Sequence, residues 1–74
     1  FEIPQALSLS LTVYDIVGRR VRQLHAGEML VAGSYQTVWV GRDDQKRPVG
    51  SGIYAYRIRA GGVIVAGGRM TLIR

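Results

Sequence analysis

The sequence predicts an all-β domain, an antiparallel sandwich or barrel of short strands. Three observations carry that expectation. Apolar and polar residues alternate along almost the whole chain, the period of a half-buried strand. No stretch of ten residues keeps a helical period. Turn residues recur about every 8–12 residues, a spacing that suits a sandwich or barrel. The 74 residues make one domain. A domain of that size buries only about 60% of its unfolded surface. With no cysteine, packing and strand pairing must hold it.

Phe1-Glu2-Ile3 reads as a short strand ended by Pro4. Residues 8–14 put Leu9, Leu11 and Val13 on one face and Ser8, Ser10, Thr12 and Tyr14 on the other. Residues 20–25 read as the hairpin partner, reached through a turn at 15–18. Residues 33–40 alternate again, with Tyr35, Thr37 and Trp39 sharing a face. Residues 41–52 are the longest polar piece, and Asp43 and Asp44 suit turn chemistry there. Gly50-Ser51-Gly52 is expected to turn the chain into a central strand, using glycine for its backbone freedom. Along Gly52–Ala60, Tyr54, Tyr56 and Ile58 face the core and Arg57 and Arg59 face water. Gly61-Gly62 then makes a hairpin into residues 63–66 and 69–73, an arm expected to break at Gly67-Gly68. No internal repeat stands out.

Several chemistries fit poorly. His25 is the single histidine and reads as a rim residue, with no cysteine to join it. No catalytic residue, cofactor or metal site is therefore expected. Asp43 and Asp44 share their loop with Lys46 and Arg47, which works against a cation site. Gly50-Ser51-Gly52 lacks the Lys-Ser/Thr and the helix of a phosphate loop. The net charge of +5, nine of the ten basic residues being arginine, would attract nucleic acid or an acidic surface. Yet Arg57 and Arg59 fall opposite the tyrosines of their strand, whereas single-strand binders interleave the two kinds; nucleic acid is not the expected partner. Tyr35, Trp39, Tyr54 and Tyr56 could stack on sugars, but a core this small needs their bulk. No run of 18 apolar residues suggests a membrane span.

Four blocks, in order, resemble a known family. They are Val13-Tyr14-Asp15-Ile16-Val17-Gly18 with Val21 and Leu24, and Ala32-Gly33-Ser34-Tyr35-Gln36-Thr37-Val38-Trp39 with Gly41-Arg42-Asp43. Arg47-Pro48-Val49-Gly50-Ser51-Gly52-Ile53-Tyr54-Ala55-Tyr56-Arg57-Ile58 and the ending Arg69-Met70-Thr71-Leu72-Ile73-Arg74 complete them. Together they cover essentially the whole chain. This order resembles the C-terminal domain of cargo of the type IX (Por) secretion system, itself akin to the Ig-like domain of the flagellar hook-capping protein. Two positions depart from the pattern. Val40 stands where the family has an acid, and Lys46 stands where a turn has glycine, so that turn is expected to differ in shape.

The resemblance implies an Ig-like antiparallel β-sandwich of about seven short strands. It would be the C-terminal module of a larger secreted protein, with a cargo domain, commonly a hydrolase, covalently linked on its N-terminal side; the start at Phe1 agrees with that expectation. The implied role is non-catalytic: sorting and cell-surface attachment by way of the periplasm and outer membrane. Its partners would be the outer-membrane type IX translocon and the surface-attachment machinery. Arg69, Met70, Thr71, Leu72, Ile73 and Arg74 would carry the recognition. Tyr14, Asp15, Gly18, Gly33, Tyr35, Trp39, Gly41, Asp43, Gly52, Tyr54 and Tyr56 would be structural. The alternatives are a structural Ig-like spacer and a carbohydrate-binding accessory module of a secreted glycoside hydrolase.

Overall fold

Six strands form where the alternation is strongest: β1 (Glu2–Ile3), β2 (Leu7–Tyr14), β3 (Arg20–Leu30), β4 (Gly33–Ser34), β5 (Gly52–Ala60) and β6 (Val63–Leu72). The computed structural model describes residues 2–3, 5–61 and 63–73. The expectations for Phe1, Pro4, Gly62 and Arg74 lie outside the described residues. The fold is all-β: β3, β2, β5 and β6 lie side by side in that order as one antiparallel sheet, and β1 and β4 pair as a second sheet. Both hairpins, β2–β3 and β5–β6, lie where the alternation and turn residues placed them, with β5 central.

Register decides which residues share a face. Leu11 stands opposite Ile58, and Ile58 opposite Ala66; Val13 stands opposite Tyr56, and Tyr56 opposite Gly68. This face carries the core. Ile3 of β1 joins Leu9, Leu11 and Ile58 in a buried cluster, with Leu24, Tyr35 and Tyr56 packed against it. Ile3 thus ties β1 to the core of the large sheet. Val13 is fully buried, and Tyr54 is buried beside it on the central strands. A fully buried Leu or Ile stabilises by about 1.5–3 kcal/mol, so a core of so few side chains leaves much of the stability to ladders and side-chain hydrogen bonds.

The segment that follows β4 makes the point. Of the strand expected over 33–40, only Gly33–Ser34 pairs, with β1. Residues 35–40 keep the alternation, with Tyr35, Thr37 and Trp39 half-buried and their neighbours exposed, but they pair with no described strand. Each inward side chain instead carries a polar handle. Tyr35 Oη donates to Val31 O at 2.6 Å, Thr37 Oγ1 lies 2.9 Å from His25 Nε2, and Trp39 Nε1 donates to Arg42 O at 2.8 Å. These bonds strap the segment across the sheet in place of ladder bonds.

Two glycine expectations need correcting. β6 runs unbroken through Gly67-Gly68. The Tyr56 ring lies on Gly68, where a Cβ would come within 2.9 Å of ring atoms. Glycine serves a close approach there, not a break. Gly50 and Gly52 both keep negative φ, with open space where a Cβ would stand. That turn is tied by Tyr54, whose hydroxyl donates to Gly50 O at 2.6 Å.

Candidate functional site

The expected recognition segment falls on β6, an edge of the four-stranded sheet. Arg69 pairs with Ala55, Met70 with Tyr54, Thr71 with Ile53 and Leu72 with Gly52. Met70 and Leu72 are half-buried, while Arg69, Thr71 and Ile73 are exposed. Met70 lines a cavity of about 370 Å³ beneath the strapped segment, with Trp39 and Tyr56. One backbone edge of β6 is spent on β5. The other faces away from the sheet, and no further described strand pairs with it.

The opposite edge, on β3, is treated differently. Asp44 N–H donates to Val21 O at 3.0 Å, and Gln23 N–H donates to Asp44 Oδ1 at 2.8 Å. Arg20 Nε lies 3.2 Å from Asp44 Oδ2, and Arg22 Nη1 donates to Asp43 O at 3.0 Å. Asp44 therefore pairs with the edge as a strand residue would, and it closes part of that edge to other chains.

Asp43 and Asp15 organise two loops. Asp15 Oδ1 accepts N–H bonds from Val17 at 3.0 Å and Arg19 at 2.8 Å. Asp43 Oδ1 accepts from Gln45 at 2.9 Å and Arg47 at 2.9 Å. The Arg19 N–H bond, helped by its guanidinium, holds the Asp15 carboxyl below its ordinary value. The Arg47 N–H bond does the same for Asp43, with smaller help from Gln45 N–H and the Arg47 guanidinium. The fourth residue of each loop is left-handed: Gly18 at φ 96° and Lys46 at φ 65°. Lys46 takes its left-handed conformation in the narrow well open to L-residues, and the Asp43 carboxylate bonds hold the turn around it.

Trp39 meets Tyr54 edge to face, with centroids 5.0 Å apart. Gly41 is buried with φ 75° where the chain enters loop 43–47. Gly33 pairs with Ile3, and Gly52 opens β5. Tyr35, Trp39, Tyr54 and Tyr56 are buried or half-buried and turned onto the sheet. His25 is more engaged than a rim residue: its Nδ1 pairs with the Glu28 carboxylate while Nε2 meets Thr37.

One placement escaped the sequence. Thr12 pairs with Arg57 and Tyr14 with Ala55, so Tyr14 lies on the arginine face. The Arg57 guanidinium carbon stands 5.2 Å from the Tyr14 ring centroid. The alternation of β2 put Tyr14 opposite Leu11, but only the register joins it to Arg57. Among the described residues no group of three or more His, Cys, Asp or Glu side chains gathers as a metal site. No described helix is long and apolar enough to cross a membrane. No family model, curated protein or solved structure matches this chain.

Proposed function

We propose that this chain is the non-catalytic, C-terminal sorting and cell-surface attachment domain of a protein exported by the type IX system, built as an Ig-like β-sandwich. The observation that carries this reading is the asymmetry of the two sheet edges. Asp44 blocks part of the β3 edge, whereas the outer edge of β6, holding Arg69 to Leu72, pairs with no further described strand. An open edge offers a row of backbone donors and acceptors to which a receptor strand can add, with the outward side chains giving selectivity. The Ig-like reading is supported by Ile3, which lays a second sheet on the first, and by two tyrosine corners. Tyr35 and Tyr54 each donate to a carbonyl four residues upstream, a device of such sandwiches. The inward turn of the aromatic rings favours this use over a sugar platform.

The test is export of a periplasmic reporter fused to the intact domain in a type IX-competent bacterium. Deleting the last residues is a poor variant, since Met70 and Leu72 are part of the fold. Thr71→Asp with Ile73→Asp alters only exposed positions. The native fusion should reach the cell surface, and the double variant should lose about tenfold in surface display at unchanged Tm. A native fusion that stays in the periplasm sinks the proposal.

A further inference from the structure

The outer face of the large sheet carries arginines that pair with no described carboxylate. Asp15 pairs with Arg19, Asp44 with Arg20, Asp43 with Arg47 and Glu28 with His25. Every carboxylate whose side chain is described is therefore engaged. The remaining acid, Glu2, belongs to β1, in the other sheet. Arg57, Arg59 and Arg69 are exposed on the outer face with no ion pair among the described residues. Arg57 pairs with Gly67 and Arg69 with Ala55, so the two arginines are diagonal neighbours across β5 and β6. Diagonal positions lie about 7–8 Å apart, near enough for both guanidinium groups to serve one extended partner.

The same face carries apolar surface. Ile16 and Val17, at the tip of loop 15–19, are 80% and 73% exposed. They overhang a cleft of about 460 Å³ whose walls include Tyr14, Ile53, Arg57 and Arg69, and also Asp15, whose carboxylate is spent on Arg19. Ala55 and Gly67 put little or no side chain on this part of the sheet. Exposed β-branched residues beside unneutralised guanidinium groups mark a recognition surface rather than a merely solvated face.

We propose that this cleft is a docking site for an acidic peptide segment in which carboxylates alternate with apolar side chains. The pattern matches two features at once: paired carboxylates for Arg57 and Arg69, and branched aliphatic side chains for Ile16, Val17 and Ile53. Guanidinium groups bind carboxylates through two parallel N–H···O bonds, which adds orientation to attraction. Nucleic acid fits less well, because Tyr54 of the cleft wall is buried and the Arg57 guanidinium already stands over the Tyr14 ring. The cleft is separate from the backbone edge of β6, so the proposal does not depend on the sorting role.

The test is titration of the intact chain with a blocked hexapeptide of alternating Glu and Leu, followed by amide NMR shifts. A Gln-Leu peptide and a single-stranded oligonucleotide serve as comparisons. The Glu peptide should shift the amides of Tyr14, Val17, Ile53, Arg57 and Arg69, less so as salt rises. Arg57→Gln with Arg69→Gln should weaken binding about tenfold at unchanged Tm, and Arg42→Gln should leave it unchanged. Absence of shifts, equal shifts with the Gln peptide, or an oligonucleotide taking this face in preference to the Glu peptide would overturn the assignment.

Discussion

Loops 15–19 and 43–47 share only their first and last residues, Asp and Arg, yet they fold alike. In each, the first N–H donates to the fifth carbonyl at 2.9 Å, and the fourth N–H donates to the first carbonyl at 3.0 or 2.9 Å. One carboxylate oxygen takes the third and fifth N–H groups, and the other faces the Arg Nε, at 2.9 Å in the first loop and 3.5 Å in the second. Of the three positions that differ, two have structural consequences. The left-handed residue is Gly18 in one and Lys46 in the other. The second residue is Ile16, exposed at a tip, in one, and Asp44, bonded to β3, in the other. The aspartate therefore specifies the shape. The second residue determines what the loop does: one loop offers an apolar tip, and the other closes a sheet edge.

Exchanging the left-handed residues tests this comparison most strongly. Gly18→Lys should destabilise by about 1–3 kcal/mol, because φ 96° lies outside the left-handed well. Lys46→Gly should relieve about 1–2 kcal/mol of strain. It gives back about 0.5–1 kcal/mol in unfolded-chain entropy, leaving a small net gain. Thermal unfolding reads both, at about 4–8 °C per kcal/mol for a domain of this size. Equal losses at the two sites would mean that the loops are not held alike.

The second position should separate the loops more gently. Asp44→Ala should cost about 1 kcal/mol and speed hydrogen exchange at the Gln23 amide. Ile16→Ala should change stability by less than about 0.5 kcal/mol. If Asp44→Ala leaves Gln23 protected, the edge is closed by something else.

Acid should act on both loops in the same direction. The folded carboxyls of Asp15 and Asp43 lie below the ordinary value of 3.8. Their stabilisation is therefore complete above that value and is lost as pH falls through the lowered folded values. Asp15→Asn and Asp43→Asn should each flatten the acid limb of a Tm–pH curve by a similar small amount. A limb unchanged in the double variant would place the acid sensitivity elsewhere.

Much of this fold is legible in the sequence because alternation reports a face. It found Leu9, Leu11 and Val13, the run of β5, and the inward set Tyr35, Thr37 and Trp39. Alternation does not report pairing, so it could not tell that residues 35–40 pair with no described strand. Nor could it set the register that joins Tyr14 to Arg57. Gly67 and Gly68 read as a hinge because the ring they admit belongs to another strand. The likeness of the two loops was written in the sequence, as Asp followed four residues later by Arg; the lysine between them hid it. His25 lacked any local signal, since Thr37 reaches it only through the strap.

The central ladder has a further consequence, for kinetics. Each hairpin is closed by a few residues of turn, a local event on a microsecond scale. The ladder between β2 and β5 joins residues more than forty positions apart, from Leu9 with Ala60 to Tyr14 with Ala55. Leu11 and Ile58 belong to different hairpins, so the buried cluster is complete only when the two dock. The entropy of closing that long connection is spent before the contacts that repay it exist. Docking of two preformed hairpins, rather than formation of either, is therefore the step that sets the folding speed of this chain.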